Sequence, residues 1–465
     1  MLRIVHAYSV FAALMLTAAP AQAQFTKLFD FNDPTSGRIP KGALVSDGTW
    51  LCGAGSAGGT TNCGTIVRVK LDGSDPTILH SFEFATSGCY PESRLFIEDD
   101  YLYGTTKGGG TIGMGTIFRM HLDGTGFEKL LDLTDTNGAN PTAGVISDGT
   151  WLYGTTSAGG QLTFGAVFRI MPDGSGHQLL FQFNGTNGRE PRAELLLVGD
   201  TLYGTTSIGG PEAWGTVFKM HKDGSGHTLL HAFGDLADGR FPDDALYAIG
   251  DQLYGIARVG GSLFGGLIYR IGMDGTGFTE VLEFDPFSTG VNVQCSFIYD
   301  GTWFYGSGSL SNPDSPVTGT LFRVKPDGTD FTTLYGLTEE EGKSPMDQVL
   351  LVGGSLYSAA SLGGINGDGT IFRFNGLPTS IAAEPAAQGW SLYPNPANTT
   401  ITLHWNHPAP HGTLELRDAQ GRNVLTRNTT GNPDVLVDLS CLSAGIYAVV
   451  VRDENGVATQ RFVKD

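Results

Sequence analysis

Short runs of alternating apolar and polar residues fill most of the chain, each ended by Gly, Asp or Asn, and this period of two predicts β-strands joined by tight turns. The runs are grouped into units. A Leu-Tyr-Gly anchor recurs at Leu102-Tyr103-Gly104, Leu152-Tyr153-Gly154, Leu202-Tyr203-Gly204 and Leu253-Tyr254-Gly255, with variants at Leu51-Cys52-Gly53, Phe304-Tyr305-Gly306 and Leu356-Tyr357-Ser358, in steps of 50 to 52 residues. After each anchor comes a strand such as Gly115-Thr116-Ile117-Phe118-Arg119. An Asp-Gly pair follows in most units, Asp123-Gly124 or Asp223-Gly224 for example, and supplies the positive φ of a hairpin turn. Each unit thus predicts four antiparallel strands, which in the second unit fall at residues 94–97, 101–105, 116–120 and 127–133.

A four-stranded unit cannot bury both faces alone, so the units must stack, and radial stacking leaves only short, protected edges. The last unit stops after residues 369–374 without a fourth strand, and a strand of that type, Phe25-Thr26-Lys27-Leu28-Phe29-Asp30-Phe31, stands near the start of the chain. The expected fold is all-β: a seven-bladed β-propeller over residues 24–376, closed by the N-terminal strand, followed by a small C-terminal β-sandwich. An open solenoid is the alternative, but it would leave two unpaired edges and no capping repeat is evident.

Composition narrows the function. The 68 glycines follow no collagen-like period, and 40% hydrophobic content is enough for packed cores. With 28 basic against 47 acidic residues the net charge is −19, which argues against nucleic acid or an anionic membrane as partner. Arg3, an apolar run over residues 4–19 and Ala21-Gln22-Ala23 read as a signal peptide cleaved after Ala23, with a retained anchor as the plain alternative. The mature chain is expected to have no membrane span.

The runs Leu152-Tyr153-Gly154-Thr155-Thr156, Gly159-Gly160 and Gly165-Ala166-Val167-Phe168-Arg169 resemble the GloVer tandem-repeat family of bacterial exported proteins, over residues 25 to about 376. That resemblance implies a surface or secreted protein and no particular chemistry.

Residues 377–390 form a Pro/Ala-rich linker, and alternating runs in 391–465 suggest the compact β-sandwich. Its motifs are Leu392-Tyr393-Pro394-Asn395-Pro396, Asp418-Ala419-Gln420-Gly421-Arg422, Leu442-Ser443-Ala444-Gly445-Ile446-Tyr447 and Phe462-Val463-Lys464-Asp465. In this order they resemble the C-terminal sorting domain of the type IX secretion system. The resemblance implies passage through that machinery, removal of the domain, and release or attachment of the cargo at the outer cell surface. An ordinary sandwich used for binding is the alternative.

Catalytic motifs are not evident. Residues 336–344 end in Gly342-Lys343-Ser344 like a phosphate loop, but five residues separate the two glycines where a phosphate loop has four, and no helix pattern follows. His404, His407 and His411 lie close together beside prolines and read as a poor metal site. Asp72-Gly73-Ser74-Asp75 and Asn366-Gly367-Asp368-Gly369 leave calcium open, although they read first as turns; no other cofactor is expected. In four units the anchor Tyr is followed ten or eleven residues later by Met114, Phe164, Trp214 or Phe264. The first unit has Cys52 and Cys63 at that pair, so a Cys52–Cys63 disulfide is expected, leaving Cys89, Cys295 and Cys441 without evident partners.

A Gly-x-x-Pro connection recurs between units, and its first variable position is basic at Arg38, Arg189, Arg240 and Lys343. The Gly-Gly loops with Lys107 and Trp214 are expected on the same rim. Variable loops on a rigid scaffold are where ligands usually bind, so this partial basic ring is the candidate site for a carboxylated or sulfated glycan, or for a protein. Four solvated side chains on a repeated turn are the plain alternative. Trp50, Trp151 and Trp303 share one repeat position and either stack on sugars or fill space between units. The reading is a non-catalytic, secreted or cell-surface binding module; a hydrolase or lyase acting on glycans at the channel mouth is the competing class.

Overall fold

The computed structural model describes residues 24–465 except 235–236, 263, 286–291, 294–295, 310–315, 346–347, 376, 378–389, 394–398, 406–410, 418–422, 431–433, 441, 444, 454–455 and 465. The expected leader, Pro394, Asn395, Pro396, Asp418, Gly421, His407, Cys295 and Cys441 lie outside the described residues. Among those described there is no helix, and so none long and apolar enough to cross a membrane. The chain divides into two compact units, Met1–Asn375 and Gly376–Asp465.

Seven antiparallel sheets occur among the described residues of the first unit, over residues 38–81, 96–132, 146–182, 196–232, 247–283, 292–338 and 350–375. The second sheet is typical, with Phe96–Glu98, Tyr101–Thr106, Thr116–His121 and Glu128–Asp132 paired in chain order. Its Asp-Gly hairpin shows why these residues turn the chain. Gly124 sits at φ +92° and donates to the His121 carbonyl at 2.9 Å, while Asp123 Oδ1 accepts from the Thr125 N–H at 2.8 Å. The anchor leucines Leu51, Leu102, Leu152, Leu202, Leu253 and Leu356 are fully buried. Each burial contributes about 1.5–3 kcal/mol.

The seventh sheet takes Gln24–Asp30 as its outer strand. Phe25 is opposite Phe374 and Asp30 opposite Thr370, the pairing expected between the N-terminal strand and the last unit. One core cluster then joins Leu28, Phe31, Tyr357 and Ile371 to Leu44, Leu51, Val67 and Val69 of the first sheet.

Contacts between successive sheets repeat. The second variable residue of each Gly-x-x-Pro donates its N–H to the loop of the preceding sheet: Tyr90 to the Cys63 carbonyl, Glu190 to Phe164, Phe241 to Trp214 and, from first sheet to seventh, Ile39 to Asp368, at 2.9–3.1 Å. The glycine opening the third strand is required by the same junction. A Cβ on Gly115, Gly165 or Gly369 would collide with Pro141, Pro191 or Pro40 of the next unit.

This junction corrects the disulfide. Cys63 is bonded to Cys89, their Cα atoms 4.4 Å apart, and Cys52 is a free, buried thiol that burial pushes up to about 12. Met114, Phe164 and Trp214, eleven positions after their anchors, accept at their carbonyls the N–H of Asn140, Glu190 and Phe241 in the next unit's Gly-x-x-Pro, as Cys63 accepts from Tyr90. Cys89 holds the first variable position of that motif, so the cross-link joins two sheets.

The tryptophans are stacked on by arginines of their own sheets, Arg68 over Trp50 at 4.3 Å, Arg169 over Trp151 at 4.3 Å and Arg323 over Trp303 at 4.2 Å. Arg68 also donates to the Leu122 carbonyl of the next sheet at 2.9 Å. This position therefore holds packing residues.

In the second unit, Trp390–Tyr393, Thr400–Trp405 and Asp434–Asp438 form one sheet. Asn423–Thr430, His411–Arg417, Gly445–Asp453 and Gly456–Lys464 form the other. Ile401, Leu403 and Val437 from the first share a core with Leu414, Leu416, Val449 and Phe462 from the second. Of the motif residues, Leu442 packs on this core, Gly445 opens its strand, Tyr447 is buried and donates its hydroxyl to the Ser443 carbonyl at 3.0 Å, and Lys464 is buried.

Candidate functional site

The Gly-x-x-Pro connections and the Gly-Gly loops meet on one edge of the sheets. Cys89 bridges Gly108, Arg189 bridges Ile208, Arg240 bridges Val259 and Lys343 bridges Leu362. The second variable residue of each motif, Ile39, Tyr90, Asn140, Glu190, Phe241 and Ser344, lies at φ +50° to +63°. This left-handed kink turns the chain inward and sets side chains on both sides of it along the edge.

Here lies a depression of about 650 Å³ lined by Lys41, Glu92, Lys107, Arg189, Glu190 and Arg192, with Asn140, Thr142, Ser157, Thr163 and Phe164 between them. Glu92 is bonded by Lys41 at 2.9 Å and by Lys107 at 3.2 Å. Burial pushes the Glu92 carboxyl upward, but the two lysines more than offset it and hold it below the ordinary carboxylate range. Glu190 is bonded by Arg192 at 2.8 Å and Arg189 at 3.1 Å. Arg189 also lies 5.8 Å from the Phe164 ring centre. The site thus carries four cations and two carboxylates.

Beside it is a second, smaller depression of about 220 Å³, which shares Glu92, Thr142 and Arg192 with the first. Every one of the seven repeat units reaches it, through residues that include Ala43, Arg94, Gly144, Glu194, Ala245, Ser296 and Gln348. Arg94 and Glu194 pair at 3.5 Å, and burial pushes the Glu194 carboxyl up against the pull of Arg94.

Of the sequence-predicted ligand residues, Lys107 and Arg189 line the larger depression; Arg38, Trp214, Arg240 and Lys343 do not. The expected basic ring is resolved into local contacts: Arg240 stacks on Trp214 at 3.6 Å, Arg38 lies 3.7 Å from Asp33, and Lys343 lies 3.6 Å from Glu339. Each cation finds an acid or aromatic partner in its own or the preceding unit. Of the residues that sequence reasoning missed, Lys41, Glu92, Thr142 and Arg192 directly follow the motif proline and Glu190 directly precedes it. The signal of the first four was available, since the position changes from Lys to Glu, Thr, Arg and Asp243 inside an otherwise repeated segment.

Among the described residues no three His, Cys, Asp or Glu side chains are placed to hold a metal ion. The turn carboxylates considered for calcium are bonded within the protein. Asp72 Oδ1 accepts from the Ser74 N–H and hydroxyl at 2.9 and 2.6 Å, and Asp368 Oδ2 accepts from the Asp33 N–H at 3.0 Å. His404 and His411 stand on strands of the second unit.

Repeated antiparallel sheets with a charged depression on their loop edge, and a separate small β-domain, define an all-β repeat protein with a loop-borne site. The chain belongs to the Gloeobacter/Verrucomicrobia repeat family, whose model matches residues 13–213 and 200–384. Residues 391–465 match the secretion system C-terminal sorting domain, so the protein is exported by the type IX machinery to the cell surface or beyond. No curated protein matches the sequence. Among solved structures, an oligogalacturonate lyase in complex with manganese has 13% identity and a TM-score of 0.48, covering 76% of this chain and 93% of its own. A proposed 6-phosphogluconolactonase from Bacteroides uniformis has 15% identity and a TM-score of 0.45, covering 86% and 98%. Likeness at this level carries no chemistry to this chain.

Proposed function

We propose that the protein is a secreted or cell-surface, non-catalytic binding module that holds an anionic glycan in the larger depression of its loop edge. The scaffold in this reading is a closed seven-bladed propeller, freed from its signal peptide and completed by the strand Gln24–Asp30. Two features support the ring: the core shared by the seventh and first sheets, and the small depression to which each of the seven units contributes at least one residue.

The observation that carries the ligand class is the gathering of Lys41, Lys107, Arg189 and Arg192 around one depression on a chain of net charge −19. Local positive potential on an acidic protein steers anions to that place. Glu92 and Glu190 each serve two cations, which supports a structural use of both carboxylates. A glycan-array screen of the full chain, repeated with Lys107→Ala plus Arg189→Ala, tests the reading: loss of acidic-glycan binding supports it, and undiminished binding refutes it.

A glycan-cleaving enzyme is the second reading. It is favoured by Glu194, a carboxyl in the smaller depression that burial makes easier to protonate, as a general acid requires. Release of reducing ends from an acidic polysaccharide, abolished by Glu194→Gln, would replace binding with catalysis.

A further inference from the structure

The larger depression holds two clamps of the same composition. On one side Lys41 and Lys107 share Glu92, and on the other Arg189 and Arg192 share Glu190. The clamps come from different parts of the scaffold: Lys41, Glu92 and Lys107 from the first and second units, and Arg189, Glu190 and Arg192 from the fourth. Residues of the third unit lie between them, namely Asn140, Thr142, Ser157 and Thr163, with the half-buried Phe164 ring beside the arginine clamp.

Each clamp has two positive charges and one negative. One carboxylate therefore leaves each clamp with a net charge of about +1, and the donors of a lysine or guanidinium are not exhausted by a single acceptor. The cations are 42–46% exposed while Glu92 and Glu190 are 19% and 26% exposed, so the donors face solvent and the acceptors sit beneath them. Exposed pairs of this kind hold each other weakly, so a second carboxylate can be added from solvent at little cost. Glu92 and Glu190 also show what fits, since both clamps already accommodate a carboxylate. Between the clamps the surface offers hydroxyl and amide groups and one apolar ring, the partners of sugar hydroxyls and a sugar face.

Resting on the binding role given above, we infer that the ligand is a carboxylated oligosaccharide that spans the third unit and places one acidic sugar in each clamp. Recognition then needs at least two carboxylates on one chain. The second contact is intramolecular once the first is made, so the oligomer gains over its monomer without any new type of contact.

Titration calorimetry of the full chain with mannuronate, tetramannuronate and the neutral methyl ester of the tetramer tests this. The tetramer is expected to bind at least roughly tenfold tighter than the monomer, and the ester not at all. Lys41→Ala with Lys107→Ala, or Arg189→Ala with Arg192→Ala, is expected to bring the tetramer down to the monomer's affinity. Glu190→Gln, which frees both arginines, is expected to tighten tetramer binding, and it serves if circular dichroism shows the alanine variants unfolded. Equal affinity for monomer and tetramer, or a Glu190→Gln variant that binds no better, overturns the two-clamp inference and leaves the binding role standing. Stronger binding of a sulfated tetrasaccharide overturns the carboxylate assignment. Tetramer binding that survives loss of all four cations, or no binding of any probe, overturns the underlying role as well.

Discussion

Arg94 Nη1 lies 3.5 Å from Glu194 Oε2, although the two residues belong to the second and fourth units of the repeat. The pair passes over Gly144 of the third unit, where a Cβ would strike both the Glu194 carboxylate and the Arg94 carbonyl. Gly144→Val should therefore separate the pair and destabilise the repeat region by about 1–3 kcal/mol through overpacking. Urea unfolding of the variant against the parent measures this; an unchanged midpoint would show that the edge yields freely there.

The Cys63–Cys89 bond closes a loop of 26 residues between two sheets. Cys63→Ser or Cys89→Ser should cost about 2–4 kcal/mol, whereas Cys52→Ala should leave the cross-link intact. Peptide mapping without reductant should recover residues 63 and 89 in one linked pair, and a linked peptide carrying residue 52 would contradict the assignment.

Phe31 is fully buried in the core shared by the seventh and first sheets. Phe31→Ala should cost about 3–5 kcal/mol. Deletion of residues 24–31 removes the partner of Thr370–Asn375 and exposes a strand edge, so the truncated chain should self-associate. Light scattering reads the result, and a monomeric, stable truncation would argue against closure by this strand.

Two histidines should make the fold acid-sensitive. His80 stacks on Phe127 and His227 on Phe181 of neighbouring sheets, each at 3.8 Å between ring centres, and burial lowers both from 6.5 to about 4. Because the folded state prefers the neutral ring, this stabilisation is complete above about pH 6.5 and is lost as pH falls through about 4. The melting temperature should decline across that window, and the double variant His80→Phe with His227→Phe should flatten the decline. Identical pH profiles for variant and parent would exclude the two rings as the cause.

Much of the architecture was legible along the chain because strand periodicity and turn chemistry are local. The second unit's strands lie within a few residues of the expected positions. The first of them runs over Phe96–Glu98 where 94–97 was expected, and Arg94 lines the smaller depression instead. The match between the strand Gln24–Asp30 and the last unit was also visible, since both carry the same repeat pattern.

The repeat, its strand pattern, the separate β-domain and the export route all rest on residues close together in the chain, and so could be read along it. Tertiary structure decided which units' side chains meet. Cys63 bonds to the next unit and not to Cys52, Arg240 is taken up by Trp214, and Arg189 joins Lys107 at one depression while Arg38 and Lys343 stay apart. Packing between sheets selects these neighbours, and a one-dimensional pattern holds no information on which residue of one unit faces which of the next.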